Sequence, residues 1–181
     1  MANNIATNTW SQIANRESTV LLLPLGSCEQ HGPHLPLDTD TQIAQHLCAQ
    51  AAQQDNRILI APSLSITASG EHAGFPGTLS IGTEALTQVL IEIVRSADWC
   101  NGVVFVNGHG GNSALTAMMN REIRLKYGLQ TFLAHPHMPA DQGGSSGASE
   151  LGMGVHGGMD ETSVMLHLRP ELVDMSLAVR R

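Results

Sequence analysis

Apolar and polar positions fall in alternating blocks along this chain of 181 residues. Val20-Leu21-Leu22-Leu23-Pro24-Leu25 is a short continuous apolar run, the pattern of a strand buried on both faces. A polar loop rich in glycine and proline follows. Then come Ile43, Leu47 and Ala51, spaced for one face of a helix that Asp38, Thr39 or Asp40 can cap. Residues 58–61 predict a second strand, stopped by Pro62, and a long loop occupies 63–82. Leu86, Leu90, Ile93, Val94 and Ala97 form the apolar stripe of a second helix over 83–99. A third strand is expected at 102–106. After it comes a helix carrying Leu115, Met119 and Ile123, with Gly128 as its C-cap. A fourth strand is expected at 129–134, a Gly/Ser-rich loop at 139–158, and a last short helix from Asp160 to Leu168, stopped by Pro170.

Strand–helix alternation with short connections implies a three-layer α/β fold, a mostly parallel sheet with helices on both faces. Ligands of such sheets gather outside the carboxyl ends of the strands. The loops leaving the first and third strands therefore open on one edge, although they are far apart in sequence. No internal repeat or domain boundary is visible. The expectation is one domain over 1–181, with a polar N-terminal arm at 1–18.

The first of those loops carries five side chains able to bind a divalent cation within twelve residues: Glu29, His31, His34, Asp38 and Asp40. Glu29 and His31 are two apart, so an extended backbone aims both to one side. Asp40 sits near a helix N-terminus, where the dipole favours a carboxylate. It reads either as an N-cap or as a bridge with one oxygen for each of two cations. His109 lies in Gly-His-Gly-Gly-Asn at the end of the third strand, and Asn112 is expected to cap the next helix, with holding the loop and binding as its other two roles. Glu161 opens the last helix, either stabilising its start or completing a second metal's shell, and His156 is a candidate proton shuttle. Carboxylate with imidazole suits zinc, manganese or iron better than calcium. His34 and Asp38 are expected to orient the ligands.

Other residues rank below these. Glu71 and His72 sit in a glycine-bracketed loop that lines the pocket. His46 and His167 are surface or packing residues, and His135 and His137 are spare ligands. Cys28 reads as a small buried side chain rather than a nucleophile. Residues 143–147 fit G-x-S-x-G, but no strand precedes them, which argues against a nucleophile elbow.

A formal net charge of −7 with 14% charged residues argues against a nucleic-acid or anionic-membrane surface, since both need a basic patch. Three cysteines without CxxC spacing point to a reduced, cytoplasmic protein. No targeting segment or run long enough to span a bilayer is visible.

Four motifs carry a resemblance: Gly-Ser-Cys-Glu-Gln-His-Gly-Pro-His-Leu-Pro-Leu-Asp-Thr-Asp from Gly26, Gly-Glu-His from Gly70, Asn-Gly-His-Gly-Gly-Asn from Asn107, and His-Gly-Gly-x-x-Glu-Thr-Ser from His156. In these the chain resembles the creatininase family of metal-dependent amidohydrolases. The resemblance implies a two-metal site, hydrolysis of a C–N amide bond, and often a homo-oligomer. It carries the metal ligands onto Glu29, His31, Asp40 and His109, with Asp40 bridging.

Creatinine hydrolases have a further carboxylate two residues after the glycine-loop histidine. Here that position is Gly111, and Glu161 is the candidate replacement. They also use tryptophan near the substrate, whereas Trp10 and Trp99 lie near no motif, so creatinine is a poor substrate expectation. The first motif looks closest to the mycofactocin-maturation branch, which trims a precursor peptide; another branch deformylates a ring-opened purine intermediate. Two departures are Gly157, where the family usually has alanine, and a chain that stops earlier than usual. The function expected is hydrolysis of a small amide or peptide by a metal-activated water, with His156 giving a proton to the departing amine. The alternatives are a metal-dependent phosphoesterase, for which the motifs lack Lys or Arg, and a silent metal-binding or assembly protein.

Overall fold

The computed structural model describes residues 3–135 and 156–179. Strands β1 (Val20–Leu25), β2 (Ile58–Ile60), β3 (Gly102–Asn107) and β4 (Thr131–Ala134) make one parallel sheet in the order β2-β1-β3-β4. Period-two geometry splits the apolar run of β1 between two faces. Leu21, Leu23 and Leu25, with Val103 and Phe105, pack with Leu86, Leu90 and Val94 of α3 (Gly82–Ser96) and with Leu115, Met119 and Ile123 of α4 (Ser113–Tyr127). Leu22 and Val106 pack instead with Cys48 of α2 (Thr39–Gln54). Met165 of α5 (Met159–Leu168) joins Ile43 of α2 and Leu35 in a third cluster. The sheet is thus covered on both faces, as the alternation predicts.

Pro24 stands in a central strand, where proline would normally break a ladder. Its carbonyl accepts from Leu64 N at 3.0 Å, beyond the end of β2. In a parallel strand a residue's N–H and C=O point the same way, so the missing donor faces a side where the sheet has already ended.

Several boundaries differ from the sequence pattern, most by one residue. α3 stops at Ser96, three residues early. β4 begins at Thr131, because Gly128 ends α4 at φ 67 and pairing with β3 starts only at Val103–Thr131. The N-terminal segment is more than an arm. It carries helix α1 (Trp10–Ala14), closed by a Thr9–Gln12 capping box, and Asn4 bridges Ile60 on the edge of the sheet. Ile5 and Ile13 pack against the core. The Thr-x-x-Gln spacing was the signal for that helix start.

The strand order reverses between β1 and β3, since the chain leaves β1 for β2 on one side and then returns to β3 on the other. Such a switch point opens a crevice between the two exit loops. Gly108 N donates to Leu25 O at 2.8 Å, which holds those loops side by side.

Candidate metal centre

The crevice is floored by Glu29, His31, Asp40 and His109. All four are ionisable, and all are at most 2% exposed. Local folding explains the convergence. The chain leaves β1, turns back at Gly32 (φ 76), and enters α2, whose first turn carries Asp40. β3 runs on into the loop holding His109.

Asp40 is the centre. Its Oδ1 lies 3.0 Å from His31 Nε2 and its Oδ2 3.0 Å from His109 Nδ1. Ser27 Oγ donates to Oδ2 at 2.8 Å. The N-cap position of α2 belongs to Asp38, whose carboxylate accepts from Gln42 at 2.7 Å, and this leaves Asp40 free to aim inward.

The backbone sets the tautomers. His31 Nδ1 is 3.1 Å from the Glu29 carbonyl, and His109 Nε2 is 3.1 Å from the Ala68 carbonyl. A carbonyl only accepts, so these nitrogens carry the proton. In the neutral rings the nitrogens facing Asp40 are then bare lone pairs, each opposite a carboxylate oxygen. That contact is repulsive unless a proton or a cation lies between. Without a cation a proton fills the gap. Burial, the largest single effect, disfavours charge on both rings, but the hydrogen bonds and charges of the neighbouring carboxylates together outweigh it, Asp40 foremost, raising His31 and lifting His109 to about 10. Burial also works against the charge on Asp40, yet His109 and His31 hold it well below the usual carboxylate range.

Glu29 tests whether a cation fits. Both its oxygens are buried without a partner in hydrogen-bonding geometry, although His109 Nδ1 is 3.2 Å from Oε1. Burial pushes its pKa up, and His109 and Ser69 beside it more than reverse that, so it stays ionised. An unpartnered buried carboxylate, two aimed imidazole lone pairs and a carboxylate with one oxygen for each form a donor set for a divalent cation of zinc or manganese type. The residues present fit such a group. Ligand-type atoms of Glu29, His31 and Asp40 lie within 4.8 Å of one another, as do those of His31, His156 and Glu161.

Glu161 therefore lies on the His31 side of Asp40. Its Oε2 accepts from Gly157 N, and burial together with the Asp40 charge pushes it up to about 7. The His156 ring lies 4.4 Å from that of His31. At position 111 a side chain would overlap Glu71 Oε1 and His109 Nε2, so Glu71 occupies the space next to the missing carboxylate. Glu71 also forms a donor group with Glu29 and His109.

The remaining expectations divide. His34 bonds Thr162 Oγ1 at 2.9 Å and Asp38 bonds Gln42, so neither orients the buried histidines or Asp40. That work falls to Ser27 and to the carbonyls of Glu29 and Ala68, and no side-chain pattern marks a carbonyl. Asn112 holds loops rather than capping, donating to Thr67 Oγ1 and Asn107 Oδ1 at 3.2 Å each. His46 is half-buried, His167 is exposed on α5, and His135 pairs with Asn107 at 3.3 Å rather than reaching the centre. Cys28 is half-buried, with Sγ donating to Gly77 O at 3.4 Å. His137 and residues 143–147 lie outside the described residues.

The creatininase family model, described as creatinine amidohydrolase, matches residues 6–181. A mycofactocin precursor peptide peptidase of Mycobacterium ulcerans is 42% identical over 178 residues, covering 93% of this chain and 66% of that protein. Creatinine amidohydrolase of Pseudomonas putida is 32% identical over 193 residues, covering 94% and 74%. A solved structure described as a manganese creatininase aligns at a TM-score of 0.81 and 30% identity, covering 99% of this chain and 77% of that one. A point mutant of creatininase is described as a Zn–Zn type. The chain spans just under two thirds of the length of the mycofactocin peptidases it matches, at 66% and 65% for two of them. No helix among the described residues is long and apolar enough to cross a membrane. With the family model matched from residue 6 to residue 181, this chain belongs to the creatininase family.

Proposed function

We propose that this protein hydrolyses a C–N amide bond with the help of two divalent cations, each zinc, manganese or iron. One observation carries the reading: two imidazoles are fixed by backbone carbonyls so that bare lone pairs face opposite oxygens of one buried carboxylate. Glu29, His109 and Asp40 Oδ2 would hold one cation. His31 and Asp40 Oδ1 would hold the other, with Glu161 supplying the carboxylate that Gly111 lacks. When bound, such a pair lowers the pKa of a water and polarises an amide carbonyl.

His156 would carry the proton. Its Nε2 donates to the Gln30 carbonyl at 2.7 Å, so Nδ1 carries the lone pair in the neutral ring. Burial and the neighbouring charge of His31 lower its pKa, which keeps the ring neutral and able to accept a proton. It would take one from the attacking water and deliver it to the departing amine, since an amide anion is a very poor leaving group. The relatives at 41–42% identity are named as precursor-peptide peptidases, and this favours a peptide amide over a small cyclic amide or a formamide. A reducing, cytoplasmic setting is supported by three free cysteines, and a homo-oligomer by the family resemblance.

Elemental analysis, together with turnover on a panel of peptide amides, formamides and cyclic amides with and without chelator, tests the reading. His31→Ala should lose bound metal and activity together. Full metal content and full turnover in that variant would remove the proposal.

A further inference from the structure

Above the buried floor sit two more histidines that differ in which nitrogen faces inward. The rings of His72 and His156 stack at 4.4 Å with 22° between planes, and both turn one nitrogen toward Glu29 Oε1: His72 Nε2 at 3.6 Å and His156 Nδ1 at 3.7 Å. Gln30 lies beside both.

The orientation of the Gln30 amide follows from its other contact. Oε1 accepts from Gly32 N at 2.9 Å, so the group facing the histidines is the NH2. That NH2 is 3.1 Å from His72 Nδ1, which must therefore accept, and the ring's proton is left on Nε2. His156 Nε2 already donates to the Gln30 carbonyl, so its 3.1 Å approach to the same NH2 is a contact between donors, and its Nδ1 stays bare. One residue thus imposes opposite tautomers on two stacked rings. His72 presents an N–H to the centre and His156 a lone pair.

At 3.6 Å the His72 N–H is too far from Glu29 Oε1 to count as a hydrogen bond, and no other acceptor takes it among the described residues. It is a donor left unspent over an ionised floor. Amide hydrolysis needs two services at one carbon: a donor for the carbonyl oxygen as it turns negative, and a proton carrier for the amine. We propose that His72 is a second catalytic imidazole, donating Nε2–H to the substrate's carbonyl oxygen, and that Gln30 is the positioning residue that fixes its tautomer. This rests on the amide-hydrolase reading above. It adds no proton transfer: His72 keeps its proton throughout, and His156 alone gives and takes one.

The test uses the zinc-loaded chain labelled with 15N-histidine. Wild-type His72 should show a protonated Nε2 and a bare Nδ1. Gln30→Glu offers Nδ1 only acceptors and should move the proton there. His72→Ala and Gln30→Glu should each lower kcat about 10²–10³-fold, the usual effect of removing one oxyanion donor, with KM and zinc content unchanged. His72→Gln, whose amide N–H reaches a similar place, should recover most of that loss.

A wild-type His72 protonated on Nδ1 would overturn the inference while leaving the hydrolase reading intact. A tautomer switch in Gln30→Glu without loss of kcat would do the same, as would loss of zinc in His72→Ala. Wild-type protein with no chelator-sensitive turnover would strike down the hydrolase reading and the catalytic role together, leaving only the tautomer assignment standing.

Discussion

Stripping the cations should make stability depend on pH in a direction set by His109. In the metal-free fold, Asp40 and Glu29 carboxylate oxygens at 3.0 and 3.2 Å lift this imidazole from 6.5 to about 10, against the effect of burial. A group with a higher pKa folded than unfolded stabilises the fold fully below its unfolded value. That stabilisation fades as pH climbs through the folded value. At about 1.4 kcal/mol per pH unit, the ceiling on the loss between pH 6.5 and about 10 is roughly 5 kcal/mol, and relaxation of the site would bring it to a few. With cations present the sign reverses, because binding requires bare imidazoles and so strengthens as pH rises. Urea unfolding from pH 6 to 10, with chelator and with excess zinc, reads both limbs. Asp40→Asn keeps the shape and removes one of the two carboxylates, so the alkaline loss in chelator should fall to about half. A chelated wild type with flat stability across that range would refute the reasoning.

Further outcomes follow from packing and from the donor set. Phe105→Ala, at a fully buried position of β3 in the core shared with α3 and α4, should destabilise by about 3–5 kcal/mol in denaturant titration without changing metal stoichiometry. Gly26→Ala should cost at least as much as an ordinary overpacked core site, about 1–3 kcal/mol, because the new Cβ would overlap the Thr41 backbone at the start of α2. Its metal affinity should also drop, since that helix carries Asp40. Glu161→Gln should lower bound metal from two equivalents toward one, read by elemental analysis; retention of both would return the missing carboxylate to another side chain such as Glu71.

The pattern of the chain revealed the layers and the shared edge, because strands buried on both faces and helices with one apolar stripe leave period-specific traces. The convergence of Glu29, His31, Asp40 and His109 was legible for the same reason: three lie on the connection from β1 into α2 and His109 follows β3, and parallel strands point their ends one way. What the sequence hid is what orients them. The partners of His31 and His109 are carbonyls of Glu29 and Ala68, and every residue owns a carbonyl. Nothing in the sequence marks Gln30, whose amide is oriented by its contact with Gly32 N. His34 and Asp38 misled because proximity in sequence stood in for direction. The turn at 33–38 swings His34 toward Thr162 on α5, away from the floor. The N-terminal helix was missed because polar composition masked two well-spaced isoleucines.

The anchoring of both floor imidazoles to main-chain oxygens has a bearing on how such a protein can change its trade. A ring steered by a neighbour's side chain can be re-aimed by one mutation; a ring steered by the peptide path cannot, short of moving the loop. Of the two histidines above the floor, His156 is held the same way by the Gln30 carbonyl, whereas His72 is held only by the Gln30 side chain. On the proposed reading, substitutions elsewhere around the mouth of the crevice would alter which amide is accepted while the peptide path keeps His31 and His109 aimed at Asp40.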